Sequence, residues 1–244
     1  MGPPPGIMGA MDRTLVLDHR QVAELLDMPS CIEAVRDALV ALSTGAAVQP
    51  LRGFMWLPDR RGLLAAMPAH LDPIGTMGSK IISVFPGNTD TPYDSHQGVV
   101  LLFETDHGRL LAILDASELT AIRTAAASAV ATDLLARPDA ERLAILGTGT
   151  QALTHLEAIP VVREIGEIRI WGRNPDKAAA IAEAAEGPVE AVATVEEAVA
   201  DADVICTVTA ATEPILEGRW VAPGAHVNLV GSAMPTAREA DTDL

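Results

Sequence analysis

One glycine-rich segment carries the strongest signal for chemistry: Gly147-Thr148-Gly149-Thr150-Gln151-Ala152, a G-x-G-x-x-A pattern. It follows an apolar, strand-like run (142–146) and opens a segment with helical character. In that context the first glycine permits a tight turn, the second lets the backbone approach a pyrophosphate, and the alanine allows close helix–strand packing. The helix N-terminus then faces the phosphates. The segment predicts a dinucleotide site; the alternative is a glycine-rich turn without a ligand.

The residues after the next strand-like run, EIRIW (167–171), bear on the choice of nucleotide. NAD-binding sites place an acidic residue at this point, against the ribose 2′-hydroxyl. Here the sequence reads Gly172-Arg173-Asn174, and a guanidinium pairs with a 2′-phosphate. This favours NADP(H) over NAD(H). The alternative is that Arg173 is an ordinary solvated side chain and that Asp176 serves the ribose.

A basic residue lies near the start of an alanine-rich helix predicted over 120–136. With Thr120 as N-cap, Arg123 falls in the first turn, where the helix dipole disfavours a cation. An anionic ligand would compensate for this placement. The alternative is that Arg123 extends into solvent or pairs with Glu118.

Three further polar residues are ambiguous on their own. Lys80 lies within the apolar run 79–85, and Arg52 begins the run 51–57. Each is consistent with a solvated charge on an edge strand. His96 reads as a polar loop residue, and the spacing of the histidines does not suggest a metal site.

The composition excludes several classes of protein. Among 244 residues, 17 Lys and Arg against 33 Asp and Glu give a net charge of −16, which argues against binding nucleic acid or an anionic membrane. No apolar run is long enough to span a bilayer. Cys31 and Cys206 form neither a disulfide framework nor a metal-binding pattern. We expect a cytoplasmic protein whose partner is a small molecule, with no metal, nucleic acid or membrane.

The N-terminal half combines a helix with short strands. Residues 30–42 have helical periodicity, with a Ser30/Glu33 capping box at the start and Gly45 suited to the end. Strand-like runs follow, some separated by turn residues, which predicts an antiparallel meander. These runs cover 51–57, 63–69, 79–85, 99–104 and 110–116.

The C-terminal half alternates strands with helices, which is typical of a doubly wound parallel sheet. The strands cover 142–146, 167–171, 189–193, 203–209 and 226–230, and the helices cover about 150–165, 175–186 and 195–200. A Thr194/Glu197 capping box opens the last helix. Pro160 is expected to kink the first helix or end it near Ile159.

The combination of motifs resembles the ornithine cyclodeaminase/mu-crystallin family from about Thr14 to the C-terminus. The resemblance is carried by Lys80, Ser95-His96-Gln97, Arg123-Thr124-Ala125-Ala126-x-Ser128, Gly147-x-Gly149-x-Gln151-Ala152 and Ala211-Thr212-Glu213-Pro214-Ile215-Leu216. It implies an α/β protein: a Rossmann doubly wound parallel sheet plus an N-terminal α+β substrate and dimerisation domain, assembled as a homodimer. We place a disordered, tag-like segment at 1–10, the α+β domain at 11–118, a connecting helix at 119–138 and the Rossmann domain at 139–244.

The resemblance also implies roles for individual residues. Arg52, Lys80 and Arg123 fall where the family holds a substrate carboxylate beside the nicotinamide, with Lys80 a candidate proton donor, and Met67 matches the substrate pocket. Positions that line the cofactor match Ser95, His96, Arg123, Thr124, Gly147, Thr148, Gly149, Thr150, Gln151, Arg173, Asn174, Thr207, Val208, Thr209 and Gly231.

Two departures from the family pattern affect the expected reaction. Ala233 stands where ornithine cyclodeaminases have a catalytic Asp, so we expect NADPH-dependent reduction of a cyclic ketimine carboxylate, such as 1-pyrroline-2-carboxylate or 1-piperideine-2-carboxylate. The family pattern also continues beyond Leu244, which predicts a C-terminally truncated Rossmann domain. An amino-acid dehydrogenase, a cyclodeaminase and a non-catalytic protein that binds NADPH or another small ligand remain the alternatives.

Overall fold

The computed structural model describes residues 13–88, 91–232 and 237–244. The chain divides into two compact units. The first comprises residues up to 27 together with 37–120, and the second comprises 28–36 together with 121–244. The second unit therefore begins earlier than the predicted Rossmann domain and includes a short N-terminal piece that the sequence did not assign to it.

An antiparallel meander forms the centre of the first unit. The order along the sheet is β1-β7-β6-β5-β4-β2, with β3 also paired to β4. The strands from β4 to β7 are antiparallel neighbours in chain order, which confirms the predicted meander. The elements of this part of the chain are β1 (Leu15–Leu17), α1 (His19–Leu25), α2 (Met28–Ser43), β2 (Ala47–Val48), β3 (Gly53–Trp56), β4 (Leu63–Leu71), β5 (Thr76–Val84), β6 (His96–Glu104), β7 (Leu110–Asp115) and α3 (Ala116–Leu135). The first part of α2 and most of α3 belong to the second unit.

Both predicted helix starts in the N-terminal half are wrong. Helix α3 begins at Ala116 because the Asp115 carboxylate accepts the Glu118 N–H at 3.0 Å, and Thr120 lies inside the helix. Arg123 is consequently the eighth helical residue, beyond the first turn, so the dipole argument for an anion at Arg123 does not hold. Helix α2 likewise begins at Met28, before the predicted cap at Ser30.

The second unit contains a five-stranded parallel sheet among the described residues, in the order β10-β9-β8-β11-β12. This confirms the doubly wound fold. Successive strands are added first on one side of β8 and then on the other, and in such folds ligands bind beyond the carboxyl ends of the strands at this point. The elements are β8 (Arg142–Leu146), α4 (Thr150–Val162), β9 (Glu167–Trp171), α5 (Pro175–Ala184), β10 (Val189–Ala191), α6 (Val195–Val199), β11 (Val204–Thr207) and β12 (His226–Leu229).

Burial and capping explain why the alternation of strands and helices in the second unit is easily recognised in the sequence. Every residue of β11 is buried, as is β8 after its first residue, so both read as continuous apolar runs. The Thr194/Glu197 capping box is present at the start of α6. Helix α4 does not end at Ile159: it continues to Val162, and the Arg163 N–H bonds to the Ile159 carbonyl at 3.1 Å. Pro160 lies in the last turn, where its missing N–H removes one helical hydrogen bond.

No helix in the described part of the chain is both long enough and apolar enough to cross a membrane.

Candidate functional site

The glycine-rich loop connects β8 to α4 with the geometry that the sequence predicted. Gly147 has φ +140°, and a Cβ built on it would lie 2.8 Å from the Val208 carbonyl oxygen. Its N–H donates to the Trp171 carbonyl at 2.8 Å, while Ala152 is fully buried in the first turn of α4. The loop therefore needs glycine at 147 for both backbone conformation and space.

The start of α4 is open for an anionic group. Gly149 is the N-cap residue, it provides no side-chain hydrogen bond, and a Cβ added to it would meet no atom within 4 Å. The first N–H groups of a helix need partners from outside the helix, and a phosphate supplies them. The Gln151 side-chain oxygen is buried without a hydrogen-bond partner, and as an acceptor it is suited to an N–H or O–H donor and not to a phosphate oxygen. The open N-cap and the N–H groups of the first turn are the features that concern a phosphate. These features fit the pyrophosphate of a dinucleotide.

The segment after β9 contains a cap as well as the candidate phosphate-binding arginine. Asn174 caps α5, because its side-chain oxygen accepts from the N–H groups of Asp176 at 3.0 Å and Lys177 at 3.3 Å. A Cβ on Gly172 would overlap the Thr148 methyl group, so the two loops lie against each other. Arg173 and Asp176 are both exposed, and either side chain is available to a ribose or its phosphate.

The loops after β11 and β12 meet at a buried carboxylate. Glu239 accepts from the Thr207 hydroxyl at 2.7 Å, from the hydroxyl and N–H of Thr209 at 2.7 and 2.6 Å, and from the Gly231 N–H at 2.6 Å. The Thr207 side chain is itself fully buried. Sequence reasoning missed Glu239, because no local spacing connects it to residues about 30 positions earlier. Ala233 lies outside the described residues.

The Ser128 of the R-T-A-A-x-S motif has a structural partner that the sequence did not indicate. His155 in α4 is fully buried, with Nε2 2.9 Å from the Ser128 hydroxyl and Nδ1 2.7 Å from the Gln151 carbonyl. A carbonyl can only accept, so Nδ1 carries the proton and Nε2 accepts from the serine. Burial lowers the pKa of His155, so the ring is neutral. This pair joins α3 to the first turn of α4.

Lys80 lies on the inner face of the first unit's sheet. It is on β5, an interior strand, so the edge-strand alternative for Lys80 is wrong. Its cross-strand neighbour is Met67, and the same face carries buried Ala65 and Ile82. The Lys80 ammonium donates to the Thr120 hydroxyl at 3.2 Å. A half-buried cation beside a methionine is thus positioned by the sheet and by the start of α3.

His96 and Ser95 form a second polar pair in the first unit. The Ser95 hydroxyl lies 3.0 Å from His96 Nδ1, and the His96 carbonyl accepts from the Ser117 hydroxyl at 3.2 Å. Desolvation of the ring and, to a smaller extent, the charge of Lys80 lower the pKa of His96. His96 is therefore a neutral hydrogen-bonding group near neutral pH, and it begins strand β6.

The remaining predicted site residues are more exposed. Arg52 precedes β3, and its guanidinium carbon lies 6.0 Å from the centre of the Phe54 ring. Arg123 is exposed on α3 and Thr124 is half-buried. Arg52 belongs to the first unit and Arg123 to the second. The described residues contain no group of three or more His, Cys, Asp or Glu side chains that could hold a metal ion.

Comparison with known proteins places these features in context. The sequence profile of the ornithine cyclodeaminase/mu-crystallin family matches residues 12–244. The ketimine reductase mu-crystallin of Mus musculus is 42% identical over 229 residues, which cover 94% of this chain and 72% of the mouse protein.

Two solved structures are also similar. Δ(1)-pyrroline-2-carboxylate reductase of Thermococcus litoralis, in complex with NADH and L-proline, has a TM-score of 0.89 and 33% identity, covering 94% of this chain and 72% of that one. An archaeal alanine dehydrogenase dimer with bound NAD has a TM-score of 0.87 and 32% identity, covering 93% of this chain and 70% of that one.

Proposed function

The chain belongs to the ornithine cyclodeaminase/mu-crystallin family, and we propose that it is an NADPH-dependent reductase of cyclic ketimine carboxylates of the 1-pyrroline-2-carboxylate or 1-piperideine-2-carboxylate type. The chain is an oxidoreductase, since the relatives reported above are a ketimine reductase and a pyrroline-2-carboxylate reductase, the latter in complex with NADH. The observation that carries the proposal is the open start of α4, where Gly149 leaves space and uncapped N–H groups for a pyrophosphate.

The preference for NADPH over NADH rests on Arg173. Its exposed guanidinium follows β9, where the ribose of the adenosine half lies in doubly wound folds. A guanidinium binds a phosphate through two parallel hydrogen bonds, and this arrangement discriminates in favour of the 2′-phosphate. Asp176 is the alternative partner of the ribose. It lies in the first turn of α5, where the helix dipole already stabilises its negative charge.

Substrate binding is assigned to three cations. Arg52, Lys80 and Arg123 match the positions at which the family holds the substrate carboxylate, and guanidinium and ammonium groups are suited to that task. Lys80 has the best structural support, because it lies on the inner face of the sheet with its ammonium directed to Thr120. Met67, its cross-strand neighbour, offers a flexible apolar surface to the substrate ring.

The reaction needs few protein groups. When bound, NADPH would supply a hydride to the carbon of the protonated C=N bond, and the π-electron pair of that bond would become the lone pair of the product amine. The protein must hold the carboxylate so that this carbon stays within reach, keep water out, and supply the proton on nitrogen. Lys80 is our candidate for the proton donor or for ordering the donating water. Ala233 in place of the family's catalytic Asp disfavours cyclodeamination.

We also propose that the first unit forms a homodimer. Strand β3 presents Phe54, Met55 and Trp56, which are 44%, 60% and 40% exposed. Phe54 and Trp56 point to one face of the strand and Met55 to the other. An exposed apolar patch such as the one that Phe54 and Trp56 form is typical of an interface. The archaeal relative is described as a dimer. Sedimentation or light scattering should give twice the chain mass, and Trp56→Glu should shift the protein toward the monomer.

Steady-state turnover tests the assigned cations. NADPH oxidation with 1-pyrroline-2-carboxylate should fall at least 100-fold in Lys80→Met and in Arg123→Ala. The matched control is Arg20→Ala, which removes an exposed charge from α1. Full turnover in Lys80→Met would exclude Lys80 from catalysis, and release of ammonia from ornithine by the wild type would indicate a cyclodeaminase instead.

A further inference from the structure

Glu239 is a fully buried carboxylate at the carboxyl edge of the parallel sheet. Its Oε2 atom accepts from the Thr207 hydroxyl and the Gly231 N–H, and Oε1 accepts from the hydroxyl and the N–H of Thr209. An ionised carboxylate has about four acceptor sites, so these four donors occupy all of them. Each oxygen faces one backbone N–H, a group that can only donate. The side chain at this position therefore needs two acceptor oxygens.

The backbone around Glu239 is held as firmly as its side chain. Its carbonyl accepts from the N–H groups of Ile215 and Leu216, both at 2.9 Å, and its N–H donates to the Ser232 hydroxyl at 3.1 Å. Gly231 has no space for a side chain, because an added Cβ would overlap the Thr209 carbonyl and lie 2.6 Å from the carboxyl group. The carboxylate thus occupies a fixed position between the two loops.

The same loops border the glycine-rich loop. Val208 lies between the two threonines bonded to Glu239, and its carbonyl is the atom that approaches Gly147. The Val208 N–H in turn donates to the Leu146 carbonyl at 2.9 Å, at the end of β8. Moving the Glu239 carboxylate would therefore move Val208 relative to the pyrophosphate-binding loop.

We propose that Glu239 is a positioning residue that holds the loops after β11 and β12 in the arrangement required by the nicotinamide half of the cofactor; this inference rests on the proposed function. In a sheet of this order the two halves of the dinucleotide lie on opposite sides of the first strand. The adenosine half lies toward β9 and Arg173, and the nicotinamide half lies toward β11 and β12. Glu239 accordingly acts on one half only.

Glu239→Gln is the decisive variant. It keeps the size of the side chain but replaces one acceptor oxygen with an NH₂ group, which must face a backbone N–H that cannot accept. Glu190→Gln is the matched control, since it removes the same charge from an exposed position on β10. Thr207→Val is a second variant, because it deletes one buried donor while keeping the shape of the side chain. It keeps the inference testable if Glu239→Gln does not fold.

Two ligands and a measurement of amide hydrogen exchange distinguish a positioning role of Glu239 from general damage to the fold. NADPH reports on the whole site, and adenosine 2′,5′-bisphosphate reports on the adenosine half alone. We expect Glu239→Gln to raise the Kd of NADPH at least tenfold, to leave that of the bisphosphate within twofold, and to speed amide exchange at Thr209 and Gly231. Thr207→Val should change the same quantities in the same direction but less, and Glu190→Gln should change none.

Equal weakening of both ligands would overturn the inference, since it would mean that the whole unit is damaged. Unchanged NADPH affinity together with unchanged amide exchange in Glu239→Gln would overturn it as well. A wild-type protein that binds neither ligand would instead contradict the proposed function, so the two failures are distinguishable.

Discussion

Replacing Gly149 with Ala separates ligand binding from stability at the glycine-rich loop. Gly149 has φ −95° and ψ −171°, a conformation open to alanine, and the added methyl group would meet no protein atom within 4 Å. The folded protein can therefore accommodate the substitution without rearrangement. A bound pyrophosphate cannot, because it must approach the backbone at this residue.

Gly149→Ala changes the free energy of unfolding through two effects of opposite sign. Exchanging Gly for Ala at a compatible position stabilises a protein by about 0.4–1 kcal/mol, since the unfolded chain loses freedom. Ala is a poorer N-cap than Gly, which costs a comparable amount of about 0.5–1 kcal/mol. We expect the free energy of unfolding to change by less than about 0.5 kcal/mol. The Kd of NADPH should nevertheless rise at least tenfold, equivalent to about 1.4 kcal/mol.

Urea unfolding and a fluorescence titration with NADPH measure these quantities on the same preparation. Gly166→Ala is the matched control. Gly166 also has open space around it, but it precedes β9 and so lies at the amino ends of the strands, away from the glycine-rich loop. Gly166→Ala should leave the Kd of NADPH unchanged and raise the free energy of unfolding by about 0.4–1 kcal/mol, since Gly166 is not an N-cap and no cap penalty offsets the effect on the unfolded chain. A Gly149→Ala protein that binds NADPH within twofold of the wild type would refute the assignment of this loop to the pyrophosphate.

Three further outcomes are expected. Gly147→Ala should lower the free energy of unfolding by about 1–3 kcal/mol in urea, because φ is +140° and the methyl group would meet Val208; unchanged stability would contradict this. The lowered pKa of buried His155 means that the unfolded state gains the proton first, so the stability present above about pH 6.5 should be lost progressively as the pH falls below that value. His155→Gln should reduce that slope, and an identical slope would exclude His155 as its source. Burial raises the pKa of Cys206 to about 12, so an aromatic disulfide reagent at pH 8 should modify Cys206 only after denaturation, and rapid labelling of native Cys206 would contradict its burial.

The second unit could be predicted closely from sequence. Strands β8 and β9 have the predicted bounds, because a buried parallel strand reads as an uninterrupted apolar run. The glycine-rich loop has the predicted backbone geometry at Gly147, because that position has a steric requirement that other residues cannot meet. Local rules suffice where the structure is determined by neighbours in the chain.

The first unit and the side-chain contacts were predicted less well. Asp115 and Thr120 are both good N-cap residues, and Asp115 is the one that caps α3. Arg123 therefore lies beyond the first turn, and the helix dipole gives no reason to expect an anion there. Helix α1 was missed although Asp18 and Gln21 form a capping box. Glu239 and the Ser128–His155 pair depend on contacts between residues far apart in the chain. Their spacing carries no periodic signal.

Transfer of deuterium tests the central claim most directly. The wild-type protein is incubated with 1-pyrroline-2-carboxylate and NADPH that carries deuterium at the transferable position of the nicotinamide. We expect proline with one deuterium on the carbon that bears the carboxylate, in a one-to-one ratio with oxidised nucleotide. Proline without deuterium, or no proline despite saturable NADPH binding, would contradict the proposal that this chain reduces a cyclic imine by hydride transfer.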